Sequence, residues 1–387
     1  MIRFLPWDYG VRNLFRRTSR SVLTLLGLGV VVLLVLVVVG FIRGLESSLA
    51  TSGNPDVALV VALSAGADIE NSSIAARTPA LLSASVRGIR TRYGVSYVSP
   101  ELYLGTRITV DNNGMQGLGL VRGVTTTAPL LRKQVQLVAG HWPQSSEIMV
   151  GRLAHSKMGC GTQDLEIGQT VTFDGRQWTV SGHFSAGGSA FDSELWCPLE
   201  DLQVALRRQD ISLVALGMES PALLAQIDLF CKERVDLELK AVSETAYYAS
   251  LQQHYKPVRI LSWVVVCLVA GSGVFAGMNT MYGAVVGRMR ELATLQALGF
   301  RRIAIMLSLI QEGVLLSACG ALIACLLGLF WVHGTAVRFT MGAFVLRVDS
   351  VGISIACATA LVLGVIGSIP PAIKAMRLPI VEGIRGV

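Results

Sequence analysis

Hydrophobic residues are concentrated in four long stretches of this chain, separated by segments of mixed polarity. Three of the stretches contain no charged side chain, and the fourth contains only Glu312. Each is at least 22 residues long, and a helix needs about 20 apolar residues to cross the ~30 Å hydrocarbon core of a bilayer. The pattern therefore predicts an α-helical membrane protein with four transmembrane helices, at 21–42, 260–286, 303–331 and 350–373.

Composition and charge distribution agree with this interpretation. Of the 387 residues, 52% are hydrophobic and 15% are charged, which is too apolar for an ordinary soluble domain. The net charge of +7 does not indicate nucleic-acid binding, because segment 46–256 carries 17 basic and 21 acidic residues and the basic excess lies beside the hydrophobic stretches. Basic residues favour the cytoplasmic side of a membrane. We therefore predict cytoplasmic segments at 1–20, 287–302 and 374–387 and external segments at 43–259 and 332–349.

The amino-terminal segment 1–20 is predicted to lie on the inner leaflet as an amphipathic helix. Trp7, Val11, Leu14 and Phe15 recur at helical spacing, and an aromatic residue is typical of that depth. A frayed basic tail is the alternative. The following apolar stretch is longer than the core of a signal peptide and has no clear cleavage site before Arg43, so we expect it to be retained as an anchor.

Segment 43–259 is predicted to be a large external domain, beginning with a short helical stalk at 44–50. Its turns predict hairpins, because glycine favours the backbone conformation that such turns require. The predicted hairpins pair 104–110 with 116–121 and 170–173 with 177–180, and they are followed by a strand at 212–218, a helix at 221–233, a strand at 236–242 and a helix at 243–255. This order predicts a mixed α+β domain. One transmembrane helix precedes the domain and three follow it, a 1+3 topology.

The sequence offers little evidence for an enzyme. It contains no phosphate-binding G-x-x-x-x-G-K-[ST] loop, no H-E-x-x-H and no C-x-x-C, and its five histidines are scattered. We therefore predict no catalytic residue, metal site or cofactor in this chain. Cys160, Cys197 and Cys231 lie in the predicted external domain, where a disulfide is permitted. Three cysteines do not define a pairing, so the disulfide question stays open.

The cytoplasmic segment 287–302 is the most informative short region. Met289, Leu292, Leu295 and Leu298 are spaced three residues apart and can share one side of a helix that Gly299 would end. A short amphipathic helix between two spans, without catalytic residues, is suited to a groove on a partner protein. A connector that only lies at the membrane surface is the alternative.

Motifs along most of the chain resemble those of the FtsX-like permease family, which includes MacB. Segment 290–301 is similar to the family pattern R-E-(I/L)-x-x-L-(R/Q)-A-(L/I)-G, segment 371–385 is similar to its carboxyl-terminal ending, and 12–17 is similar to its start. Segments 139–143, 147–151 and 167–171 resemble the MacB-type periplasmic domain. MacB carries a fused ATPase ahead of its first span, whereas this chain resembles the split permeases of the family.

The resemblance implies a permease of the bacterial inner membrane that works with a separate ABC ATPase, which binds the ATP and Mg²⁺. It also implies pairing with a second copy or a paralogue, contact with membrane lipid, and a membrane-fusion protein or a lipoprotein chaperone as further candidate partners. The residues expected to contact the ATPase are Arg288, Met289, Arg290, Glu291, Leu292, Leu295, Leu298, Gly299, Phe300 and Arg301. A second cytoplasmic contact is expected from Arg377, Glu382 and Arg385.

Glu312 is expected to be protonated, to have a polar partner, or to lie nearer the membrane surface than its position suggests. A charged carboxylate at mid-bilayer costs about 2.5–3.5 kcal/mol on the insertion scale. A structural polar contact and a role in coupling are both open for it. Two functions also stay open: efflux or extraction of an amphiphile or lipoprotein, and FtsX-like transmission of ATPase motion to a cell-wall hydrolase. Neither the substrate nor the choice between homodimer and heterodimer follows from the sequence.

Overall fold

The structure is a computed structural model that describes residues 18–66, 68–339 and 342–377. The predicted inner-leaflet helix lies almost wholly outside the described residues, and so do Glu382 and Arg385 of the predicted second contact. The chain divides into two compact units. The helical unit comprises Met1–Arg43, Pro257–Thr335 and Leu346–Val387, and the sheet unit comprises Gly44–Lys256 and Ala336–Val345.

Eleven α-helices are found among the described residues, and a 3₁₀ turn at Ile69–Asn71 is used below. The helices are α1 (Thr18–Ser52), α2 (Thr78–Ser85), α3 (Ala128–Leu131), α4 (Ala154–Met158), α5 (Leu199–Leu206), α6 (Leu223–Glu233), α7 (Glu244–His254), α8 (Lys256–Val286), α9 (Met289–Ala297), α10 (Arg302–Leu327) and α11 (Ser350–Arg377).

Fourteen strands are found in the same part of the chain. They are β1 (Val57–Ala62), β2 (Thr91–Arg92), β3 (Val95–Ser96), β4 (Val98–Val110), β5 (Gln116–Val124), β6 (Gln136–Gly140), β7 (Glu147–Gly151), β8 (Thr170–Phe173), β9 (Arg176–Ser185), β10 (Glu194–Pro198), β11 (Leu213–Gly217), β12 (Leu239–Ser243), β13 (Ala336–Phe339) and β14 (Gly342–Val345).

Four helices are long and apolar enough to cross a membrane, at Ser21–Ser52, Lys256–Val286, Arg302–Val332 and Ser350–Arg377. The first is longer than its predicted span, because α1 continues without a break through the segment predicted as a stalk. The last runs through Pro370 and Pro371. Proline is tolerated in membrane helices where neighbouring groups satisfy the freed backbone carbonyls.

Small residues bring helices of the helical unit close together. A side chain on Gly320 would lie 3.2 Å from the backbone nitrogen of Gly29, and one on Gly273 would meet Val31 and Leu363. Such small residues are the usual means of close helix contact in membranes. Leu28, Leu36 and Ala360 belong to one buried apolar cluster of this unit. Gly273 of α8 and Gly320 of α10 therefore allow close approach of neighbouring helices.

The sheet unit is built on a ten-stranded mixed sheet in the order β12-β1-β11-β4-β5-β10-β7-β9-β6, with β8 pairing to β4 and β9. Both predicted hairpins are confirmed, since β4 pairs antiparallel with β5 and β8 pairs antiparallel with β9. Asp174 and Gly175 of the second turn both have positive φ, 48° and 70°, as a type I′ turn requires. The mixed α and β character is confirmed.

The end of the domain follows the predicted order with one shift. Strand β11, helix α6, strand β12 and helix α7 occur in the expected sequence. The strand predicted from 236 begins only at Leu239, because Val235–Leu237 form a 3₁₀ turn and Glu238 has a φ of 47°. A strand cannot pass through that left-handed residue.

The segment predicted as a plain external loop, 332–349, contains a structured hairpin. Strands β13 and β14 pair antiparallel, with Val337 opposite Phe344. The hairpin belongs to the sheet unit, where the Lys157 ammonium donates to the carbonyl of Phe339 at 3.3 Å. All seven cysteines of the chain are free in this structure.

Candidate functional site

The predicted coupling region forms a separate short helix, α9, between α8 and α10. Gly299 has a φ of +89° and ends it; the amide of Phe300 then donates to the carbonyl of Leu295 at 3.2 Å. A glycine in the left-handed conformation just after a helix is a common stop signal. The prediction of a short helix ended by Gly299 is therefore confirmed.

The two sides of α9 differ in their surroundings. Leu292 and Ala293 are buried, and Leu292 belongs to an apolar cluster with Val285, Ile305 and Ala372. Met289, Leu295 and Phe300 pack partly against that cluster. The inner side of the helix therefore fixes α9 to α8, α10 and α11.

The outer side of α9 consists of exposed polar and apolar residues. Leu298 is 63% exposed, and the other exposed members are Arg290, Glu291, Thr294, Ala297, Gly299 and Arg301. We call this set the outer face of α9. It combines both signs of charge with one large apolar side chain, which suits contact with another protein.

This arrangement corrects the predicted role of the leucine stripe. The sequence pattern placed Leu292, Leu295 and Leu298 together on a side that would fit a partner's groove. Leu292 is instead buried against this chain's own helices, and Leu295 is partly buried there. Hydrophobic spacing along a helix shows which side is buried but does not show by what. Only Leu298 remains on the surface.

Arg288 also has a different position from the one expected of a docking residue. Its guanidinium donates to both carboxylate oxygens of Glu312, at 2.8 Å and 3.0 Å, and the two side chains are 7% and 6% exposed. Two parallel charged hydrogen bonds form the strongest geometry available to this pair. The pair joins the residue before α9 to the middle of α10, so Glu312 is partnered and Arg288 is enclosed.

Arg377 is the only member of the predicted second contact within the described residues, and it is the last residue of α11. A basic residue in the last turn of a helix is favoured by the helix dipole.

A second cluster of charge, which the sequence analysis did not predict, is buried in the sheet unit. Arg122 on β5 lies 2.5 Å from Glu101 on β4 and 2.5 Å from Glu194 on β10. Arg132 lies 3.5 Å from Glu101 and also pairs with Glu244 at the start of α7. All five side chains are at most 3% exposed. We call them the buried charge cluster.

The pKa values in this cluster are set by burial and by the partners. Burial alone would raise the pKa of Glu101, but the charges of Arg132 and Arg122 hold it below its ordinary value. Burial likewise opposes the charge on Arg122, and Glu194 raises its pKa well above the usual range. The ionised state of each group is therefore stabilised by its neighbours.

The sequence carries one signal that could have predicted this cluster, a single arginine within the apolar strand β5.

No group of three or more metal-ligating side chains is found in the part of the chain that the structure describes. The carboxylates of the buried charge cluster are occupied by arginines, and the structure brings no nucleophile and base together there.

Two family models match the chain. The model of the MacB-like periplasmic core domain matches residues 21–228, and that of the FtsX-like permease C-terminal domain matches residues 263–380. A comparison with curated proteins gave no match.

Several solved structures resemble the chain, among them the following three. The periplasmic region of MacB from Actinobacillus actinomycetemcomitans is 11% identical, with a TM-score of 0.40, and the match covers 54% of this chain and 97% of that one. The extracellular domain of the noncanonical ABC-type transporter YknZ from Gram-positive bacteria is 14% identical, with a TM-score of 0.37, covering 48% and 99%. A domain of a putative permease protein from Porphyromonas gingivalis is 12% identical, with a TM-score of 0.31, covering 48% and 85%.

Four candidate membrane helices and a mixed α and β domain inserted among them define an integral membrane protein with a large domain outside the lipid. Its two matched regions together extend over most of the sequence. The chain belongs to the MacB/FtsX-like family of ABC transporter permeases. Permeases of this family are typically not enzymes and work with an ABC ATPase partner.

Proposed function

We propose that this chain is the permease subunit that couples ATP hydrolysis in a separate ATPase chain to motion of its own external domain. The observation that carries the proposal is the geometry of α9. Its outer face is open to a partner, its inner face is packed on three long helices, and the residue before it is held by Glu312. A force applied to the outer face would therefore pass directly into the helical unit.

The proposed orientation is the 1+3 topology with a cytoplasmic α9. The excess of basic residues beside the hydrophobic stretches supports it. In this orientation the sheet unit lies outside the inner membrane, and the two ends of the chain lie in the cytoplasm. The proposed complex contains two permease chains and two ATPase chains.

We propose that this motion drives efflux, or the extraction of an amphiphile or lipoprotein from the membrane. The large sheet unit of MacB-like pattern favours this function. The alternative is an FtsX-like regulator that transmits ATPase motion to a cell-wall hydrolase, and the FtsX-like match of 263–380 is compatible with it.

The coupling proposal is tested by replacing the two most distinctive residues of the outer face, Glu291→Ala with Leu298→Ala. The full chain in lipid nanodiscs is mixed with the ATPase subunit with which it co-purifies, and both the affinity and the stimulation of ATP hydrolysis are measured. We expect about tenfold weaker binding or more, the loss expected when residues at the centre of an interface are truncated.

The matched control is Glu166→Ala with Leu63→Ala in the sheet unit. Leu63 is 61% exposed, close to the 63% of Leu298, and Glu166 is also exposed. This control should leave ATPase binding unchanged. Wild-type binding and stimulation in the variant of the outer face would refute the docking proposal.

A further inference from the structure

The sheet unit contains a half-open cavity that no feature of the proposed coupling uses. Its volume is about 340 Å³, within the range of small-molecule sites, about 300–1,000 Å³. It is bounded by the end of α1, the Ile69–Asn71 turn, α7 and the β13–β14 hairpin. We call it the aromatic cavity.

Aromatic rings form much of its wall. The lining includes Tyr103 and Tyr247, together with Tyr255, Phe339 and Phe344. The ring of Phe339 lies 5.0 Å from that of Tyr255 and 6.1 Å from that of Phe344, centre to centre. Ring faces carry partial negative charge and attract cations that have lost their water. The wall therefore suits an apolar ligand with a positive charge.

The carboxylates at the cavity are not balanced by a lysine or arginine. Asp68 and Glu70 lie on its wall, and the one basic side chain there among the described residues is His254. Glu194 also lines the cavity, but it is already paired with Arg122 at 2.5 Å. Across residues 18–66, 68–339 and 342–377, neither Asp68 nor Glu70 has a side-chain hydrogen bond or ion pair. An exposed carboxylate, Asp68, and a half-buried one, Glu70, thus lie at a mainly apolar space without such a partner in the described part of the chain.

The electrostatic state of Glu70 is consistent with a missing partner. Burial raises its pKa, and the neighbouring charge of Asp68 raises it further. The positive charge of Lys157 lowers the pKa of Glu70, but the net shift of this pKa is upward. A cation within the cavity would stabilise both carboxylates in their charged form.

We infer that the aromatic cavity is a binding site for a hydrophobic organic cation. The rings would surround its apolar groups, and Asp68 and Glu70 would balance its charge. The inference goes beyond the proposed coupling function and does not depend on it, because binding at this site requires neither the ATPase nor ATP.

The test uses the full chain in phosphatidylcholine nanodiscs with tetraphenylphosphonium as the probe. Tetraphenylborate, an anion of nearly the same shape, serves as the counterpart. Binding is measured by equilibrium dialysis, and uptake by empty nanodiscs is subtracted. We expect saturable binding of the cation and none of the anion. Replacing Asp68→Asn and Glu70→Gln together should weaken cation binding about tenfold or more, because an attraction between opposite charges at short range is removed.

The control variant is Glu166→Gln, which removes one exposed carboxylate elsewhere in the sheet unit and should leave cation binding unchanged. A second variant, Phe339→Ala, removes a ring without changing the charge and should also weaken binding. Saturable uptake of the anion equal to that of the cation would overturn the inference. So would cation binding that is unaffected by both the charge variant and the ring variant. Since the ATPase is absent from this experiment, failure here leaves the coupling proposal standing.

Discussion

At the scale of single residues, the two buried ionic groups of this protein differ in kind. The Arg288–Glu312 pair is self-contained, with one guanidinium and one carboxylate in bidentate contact. In the buried charge cluster the ion pairs share members, because Arg122 pairs with two glutamates and Glu101 pairs with two arginines. Removing one member of such a cluster leaves the others uncompensated in a medium of low dielectric.

Replacing Arg122→Met should therefore destabilise the sheet unit strongly. Glu101 and Glu194 would keep their burial and lose their shared partner, at a cost of about 3–5 kcal/mol. The measurement is the apparent melting temperature of the full chain in nanodiscs, compared with Arg107→Met, an exposed arginine on β4. Equal melting temperatures for the two variants would show that Arg122 does not hold the cluster together.

Hydropathy alone could not have predicted this cluster. Its members are spread from Glu101 to Glu244 along the chain, and their meeting depends on strand order, which is set by the fold. The Arg288–Glu312 pair could be predicted in part, because a carboxylate in an apolar membrane helix is expected to have a partner. The identity of that partner could not be read from the sequence, because the neighbouring segments 287–302 and 332–349 carry four and two arginines.

At the scale of elements, α1 and α10 of the helical unit approach closely at Gly29 and Gly320. Gly320 of α10 faces α1, and a side chain on it would also lie 3.3 Å from the carbonyl oxygen of Leu25, whereas Gly313 of α10 faces Ser368 and Gly364 of α11. Membrane helices gain little from burying apolar surface, because lipid is equally apolar, so close packing is their main source of affinity.

Replacing Gly320→Leu should separate α1 from α10 and lower the melting temperature, by the order of the 1–3 kcal/mol typical of overpacking. The control is Gly27→Leu, two residues from Gly29 on α1. A side chain at Gly27 meets no described atom within 4 Å, so this variant should melt like the wild type. If both variants melt alike, the contact between the two helices contributes little to stability.

Hydrophobic pattern located the long helices, and the ends of the last three lie within four residues of their predicted positions. The first was predicted as a span ending at 42 and a helical stalk at 44–50, and both lie on one helix, α1, which continues to Ser52. The β13–β14 hairpin was missed because each of its strands has only four residues, and so short a strand has no distinct periodicity. The hairpins within the sheet unit were predicted because their turns carry glycine or aspartate where φ is positive, at Gly114, Asp174 and Gly175.

At the scale of the whole molecule, the proposed topology places the outer face of α9 and the sheet unit on opposite sides of the membrane. Cysteine labelling in cells tests this, in a background chain whose seven natural cysteines are replaced. A membrane-impermeant maleimide should label Val235→Cys in intact spheroplasts and Leu298→Cys only after permeabilisation. The two positions are 75% and 63% exposed, so accessibility within the protein does not distinguish them. Labelling of both positions in intact spheroplasts would reject the topology and with it the coupling proposal.

Helix α1 has a geometric consequence of its own. Its 35 residues form one uninterrupted helix, about 52 Å long at 1.5 Å per residue. If a helix of that length turned as a rigid rod by about 5° around one end, the other end would move by about 4–5 Å. Small angular changes at its first turns therefore become shifts as large as a side chain at its last.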